Sequence, residues 1–193
     1  PPDEELGSAR RLEAAGKREG AMETYARLKA WPDAARLALA LGKIERAAGF
    51  YSEAAMPCEA AQCYFQMRDG ERGLASLLRV PPNHPHYRQA CARAVAIASD
   101  RSQLTFELED FVAKFLSAGP IDDSEVEVFY ALAILFETTH AFDSAVDCYR
   151  KLLARRPGYR DAEQRLRAAE TEDHGASSKD FERIVEEEQS LRQ

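Results

Sequence analysis

The chain has 193 residues, 45% of them hydrophobic and 31% charged, with a formal net charge of −7. That balance suits a folded soluble protein and excludes general disorder; the negative sign argues against a partner held by phosphate neutralisation, so no nucleic acid is expected. No apolar run approaches the roughly 18 residues of a membrane span, since the longest, Val126–Phe136, is interrupted by Glu127, and no membrane insertion is expected.

The N-terminus carries no signal-peptide pattern. Pro1-Pro2 is not a natural translation start, so the chain reads as a piece of a longer protein, with the cytoplasm as the default compartment. Cys58, Cys63, Cys91 and Cys148 follow no framework spacing and read as buried free thiols of a reducing compartment.

Strand signals are nearly absent, and apolar residues recur at spacings of three and four, the helical period. From Ser8, Ala34 and Ala60 three stretches superimpose at a period of 26 residues. Ala9, Ala35 and Ala61 coincide, as do Glu19, Glu45 and Glu71; a small residue recurs at Ala21, Ala47 and Gly73, and a large one at Tyr25, Tyr51 and Leu77. A period of this size marks stacked helical repeats. Breakers at Gly16, Pro32, Gly42, Pro57, Gly70 and Pro81-Pro82 leave room for one helix between each pair. Each unit therefore reads as a helical hairpin. In the second copy Pro32 belongs to a first helical turn, the helix ends near Gly42, and its partner runs from about Lys43 to Met56. The recurring alanines let neighbouring helices approach closely.

After Pro82 the period lengthens. Two helices are predicted at about Pro85–Ala98 and Gln103–Leu116, with Gly119-Pro120 as the next break. Val126–Tyr159 then follows a 34-residue pattern: Phe129, Leu132, Ala133 and Phe136 on one helix, Ala145, Tyr149 and Leu152 on the next, and Pro157 at the close. These sizes at these spacings resemble the tetratricopeptide repeat, with the family's turn glycine replaced around His140-Ala141. Leu12, Gly16, Ala21, Tyr25, Leu28 and Pro32 give the first unit the same resemblance. The segment Pro85-His-Tyr-Arg-Gln-Ala90 echoes Pro157-Gly-Tyr-Arg-Asp-Ala162, as entries into first helices. The expected fold is all-α, an α-solenoid of stacked antiparallel helical hairpins over residues 1–170. A polar linker at 171–179 and an acidic amphipathic helix at 180–193 follow, the helix serving as a cap or a lead into a further domain.

Groups that can carry chemistry are sparse. His84 and His86 with Cys91 offer metal-ligand types, but no fourth ligand is apparent and Pro85 limits their convergence; no metal or cofactor is expected. Asp122, Asp123 and Ser124 read as helix-start chemistry, and Glu107, Glu109 and Asp110 as an exposed helix face. Arg150, Lys151, Arg155, Arg156 and Arg160 form the only dense basic stretch, either a phosphate or acidic-peptide site or a solvated face. No phosphate loop, nucleophile elbow or zincin motif is present, and no enzyme activity is expected.

The resemblance to tetratricopeptide arrays implies binding on the concave face, lined by the first helix of each pair. The residues beside the packing alanines, Arg10, Arg36 and Gln62, then form a ladder; Glu127, Tyr130, Ile134 and Glu137 occupy the corresponding side of the longer repeat. The lysine and asparagine pattern by which some members clamp a terminal carboxylate is absent. The expected function is a non-catalytic scaffold, monomeric alone, that docks a partner helix or peptide. The alternative is a regulatory or sensory segment of a larger signalling protein, bacterial by its alanine- and arginine-rich composition, that binds a small ligand or its own catalytic domain.

Overall fold

The computed structural model describes residues 2–172, so the helix expected at 180–193 lies outside the described residues. Every regular element among them is a helix. In chain order these are α1 (Pro2–Ala14), α2 (Arg18–Arg27), α3 (Trp31–Ala40), α4 (Ile44–Glu53), α5 (Pro57–Gln66), α6 (Gly70–Leu77), α7 (Tyr87–Asp100), α8 (Phe106–Ser117), α9 (Val126–Thr138) and α10 (Phe142–Arg155). An eleventh, α11, covers 162–172 and so runs through the first two residues of the expected linker. From α1 to α6 each helix packs on the next, and α9 packs on α10, as in an α-solenoid. Where the sequence reads as one array, the structure divides into two compact units between Ala94 and Val95, inside α7. No described helix is long and apolar enough to cross a membrane.

The first unit is more regular than its sequence suggests. Left-handed backbone occurs at Gly16, Lys29, Gly42, Ala55 and Arg68, one turn every 13 residues. The repeat is thus one helix plus one turn, half the 26-residue spacing. Each turn closes in the same way. The N–H donors of Lys17, Ala30, Lys43, Met56 and Asp69 reach back five residues to the carbonyls of Leu12, Tyr25, Ala38, Tyr51 and Tyr64 at 2.8–2.9 Å. This is the Schellman closure, which satisfies carbonyls that a helix end leaves orphaned. Only two of the five turns carry the glycine that such a backbone favours. Pro32 and Pro57 fall in the first turns of α3 and α5, where a missing N–H costs nothing. The helix predicted at Lys43–Met56 is α4, and it stops at Glu53 because Ala55 makes the turn.

These turns yield a direct test. A Cβ at Gly42 meets nothing within 4 Å, yet φ is +71°. Gly42→Ala is therefore expected to cost about 1 kcal/mol through backbone strain alone. Ala55→Gly, at φ 54°, is expected to have the opposite sign, stabilising by a few tenths to about 1 kcal/mol by the same argument. Urea unfolding midpoints of the two variants check both signs.

The core follows the 13-residue step. Ala21, Ala34, Ala47 and Ala60 are at most 1% exposed, and Ala9, Met22, Ala35, Ala48 and Ala61 are fully buried. Gly73 continues the first column for a specific reason: a Cβ there would lie 2.4 Å from the Phe65 ring. Between helices, Glu13 pairs with Arg36, Glu19 with Lys43, Glu23 with Arg46, and Glu45 with Arg72. These exposed pairs add little stability but tie each hairpin to the next in one register.

In the second unit α9 packs against α10. Phe129, Leu132, Ala133, Phe136, Ala145, Tyr149 and Leu152 are all fully buried, as the 34-residue pattern requires. The turn between them repeats the first unit's chemistry, with His140 at φ 60° and Ala141 N–H donating to Phe136 O at 2.9 Å. Ahead of α9, Asp122 does not cap the helix. Its carboxylate accepts from Ser124 N–H and Oγ–H, while Glu125 accepts from Asp122 N–H.

Candidate functional site

Ala9, Ala35 and Ala61 are buried against neighbouring helices, so the residues that follow them turn outward, and Arg10, Arg36 and Gln62 are all exposed. They are not equivalent. Arg36 donates to Glu13 at 2.6 and 3.1 Å and to Asp33 at 3.3 Å. The bonds to Arg36 hold the Glu13 carboxyl below its ordinary range, and Tyr25 O–H adds a further donor at 3.3 Å. Arg36 therefore bridges α3 to α1 and is largely spent inside the fold.

Gln62 has a different setting. It lines a groove of about 280 Å³ with Cys58 and Glu59 of α5, Leu77 of α6, and His86, Gln89, Ala90 and Arg93 at the start of α7. Leu77 and Ala90 are buried and supply an apolar floor, while Gln62, His86, Gln89 and Arg93 stand exposed around it. Arg93 is positioned by stacking: its guanidinium lies over the Phe65 ring at 3.9 Å. The chain thus continues the face of α1, α3 and α5 onto α7, with two amides, a cation and a carboxylate at its mouth. The 26-residue spacing misses Gln89 and Arg93, because the long loop after Pro82 shifts the register. The echo at Pro85–Ala90 holds the signal, since Ala90 is the packing alanine of α7 and its neighbours on the open side are Gln89 and Arg93.

His84, His86 and Cys91 do not converge. The two imidazoles sit 5.5 Å apart, His86 N–H donates to His84 Nδ1 at 3.1 Å, and Cys91 is fully buried. Among the described residues no three His, Cys, Asp or Glu side chains group as metal ligands. All four cysteines are free thiols. Burial raises the Cys58 and Cys63 thiols above their ordinary range and pushes Cys148 up to about 12, which keeps the thiolate needed for nucleophilic chemistry scarce.

On the counterpart face of the second unit Glu127 is exposed, Ile134 and Glu137 are half-buried and Tyr130 is buried, so the expectation of an outward-facing side chain is corrected at Tyr130. Tyr130 is only 8% exposed and donates to Asp161 at 2.5 Å. Glu137 accepts from Tyr149 O–H at 2.8 Å and from Arg165 at 2.7 Å, and Arg165 also reaches Asp161 at 2.9 Å. Glu127 accepts from Tyr159 O–H and pairs with Arg160 at 2.9 Å. The segment 159–165 therefore engages this face through two polar groups, one at Glu127 and one around Tyr130 and Glu137, and in the second burial and Glu137 together raise the Tyr149 hydroxyl strongly.

The basic stretch is largely exposed but engaged by the chain's own groups. Arg150 pairs with Glu170 at 2.8 Å, Lys151 donates to the carbonyls of Leu116 and Ala118 at the end of α8, and Arg155 binds Asp123 through two donors at 2.8 and 2.9 Å. Arg156 and Arg160 stack on Tyr159. These largely exposed cations are already partnered within the second unit at little gain in stability, which favours the reading of a solvated, dipole-complementing face over a phosphate site. No protein-family model matches the chain, and no curated protein shows significant similarity to it.

Proposed function

We propose that this chain is a non-catalytic protein-interaction scaffold that docks a peptide segment of another protein on the α1–α3–α5–α7 face of its first unit. The observation that carries the reading is the groove around Gln62. Its two amides offer both donors and acceptors, as an incoming peptide backbone requires, and Arg93 is pre-oriented for a carboxylate. The buried floor gives room for one apolar anchor, the feature on which peptide docking energy concentrates. The tetratricopeptide-like pattern of small and large residues supports the same use of this face.

The test is affinity capture with the full chain, read by quantitative mass spectrometry, against Gln62→Ala/Arg93→Gln. Loss of two anchors at a small site is expected to lower specific capture about 10-fold or more, with helical circular dichroism unchanged. An identical capture profile for the double variant would remove the groove assignment.

A further inference from the structure

A second groove lies in the other unit, and its chemistry is the reverse of the first. It runs between α8 and α10, with α9 beneath. Glu109, Ala113, Leu116 and Ser117 form one wall, Ser144, Asp147 and Lys151 the other, and Phe129, Phe136 and Cys148 the floor. The floor residues are at most 1% exposed, and the groove volume is about 370 Å³, enough for one or two large side chains.

Three observations converge on this groove. First, its rim is acidic. Glu109 and Asp147 face it from opposite walls, both exposed, with Glu107, Asp110 and Asp143 exposed on the same two helices. Second, the cation at its edge is already committed, because Lys151 is held by the carbonyls of Leu116 and Ala118. Lys114 is the only cation within α8, and the other two cations of α10, Arg150 and Arg155, are paired with Glu170 and Asp123. Third, Phe106 is 80% exposed at the start of α8, the most exposed large apolar side chain among the described residues. Helical spacing puts it on the stripe that continues through Glu109 and Ala113 to Ser117.

We infer that the α8–α10 groove is a docking site for a basic amphipathic helix of another protein. Its apolar face would meet Phe106, Ala113 and Leu116 above the groove floor while lysines or arginines reach Glu109 and Asp147. This is helix-in-groove recognition, with charge setting specificity and encounter rate. Charge also selects the occupant. The chain's own residues 173–193 hold six acidic residues (Asp173, Asp180, Glu182, Glu186, Glu187, Glu188) against three basic ones (Lys179, Arg183, Arg192). A second copy of a chain with net charge −7 is opposed on the same ground. The site is independent of the Gln62 groove.

The probe is a fluorescein-labelled helical peptide built from leucine and lysine, titrated with the full chain and read by fluorescence anisotropy. Glu109→Lys/Asp147→Lys and, separately, Ala113→Arg, which obstructs the groove while keeping a good helix former, are each expected to weaken binding about 10-fold or more. Gly49→Ala, in the other unit, where an added Cβ meets nothing within 4 Å, is expected to leave binding unchanged. A peptide of equal charge with serine in place of leucine is expected to bind about 10-fold more weakly, since it lacks the apolar anchors. Absence of binding, equal binding by the groove variants, or equal binding of the serine peptide would each overturn the proposal. Circular dichroism of each variant separates loss of the site from loss of the fold.

Discussion

Phe136→Ala is expected to destabilise the second unit by about 3–5 kcal/mol, the usual cost of removing a fully buried phenylalanine from a core that cannot collapse into the space. Phe136 is 0% exposed and belongs to α9, which packs directly on α10. Its carbonyl also accepts the Thr139 and Ala141 N–H groups that close the α9–α10 turn, so the cavity opens beside the point where the hairpin is fixed. In a solenoid each repeat contacts its neighbours alone, and damage stays local. Trp31, the only tryptophan, stacks on Phe50 in the first unit at a centroid distance of 5.9 Å. Tryptophan fluorescence thus reports the first unit, and far-ultraviolet circular dichroism reports all helices. In urea, the variant's dichroism is expected to lose part of its amplitude early, while the fluorescence midpoint stays at the native value. A matching shift of both signals would show one cooperative block and refute local stability.

Fold class was legible in the sequence because helical spacing and small packing residues act locally, and Ala9, Ala35, Ala47 and Ala61 are buried as their recurrence implies. The true period was harder to see. Glycine marks the turn at positions 16 and 42, but Lys29, Ala55 and Arg68 adopt the same left-handed backbone without advertising it. Tertiary packing on both sides of each helix imposes the turn, and residue identity merely adjusts its cost. The candidate site divided along similar lines. Periodicity placed Arg10, Arg36 and Gln62 outward, yet it carries no information about lateral pairing. It therefore gave no warning that Glu13 engages Arg36, or that Asp161 and Arg165 close over Tyr130 and Glu137. Both are contacts between residues more than 20 positions apart. Gln89 and Arg93 were hidden by the irregular loop after Pro82, where the period resets.

Ala47→Leu is expected to cost about 1–3 kcal/mol by overpacking, and here the Trp31 midpoint should fall. Ala47 is fully buried in α4, which packs on both α3 and α5. The alanine column at 21, 34, 47 and 60 sets how closely successive helices approach, so a leucine must either leave its preferred rotamer or push α4 away from a neighbour. Trp31 begins α3 and stacks on Phe50 of α4, so any separation of these two helices disturbs the fluorophore itself. The control lies two residues on. Gly49 is exposed within the same helix, and a Cβ there would meet nothing within 4 Å. Gly49→Ala is therefore expected to stabilise by about 0.5–1 kcal/mol through helix propensity alone. Opposite shifts at positions 47 and 49 would establish that helix spacing, and not helix formation, limits the first unit. If Ala47→Leu leaves the midpoint unmoved, the column has slack, and the 13-residue step is held by the turns instead.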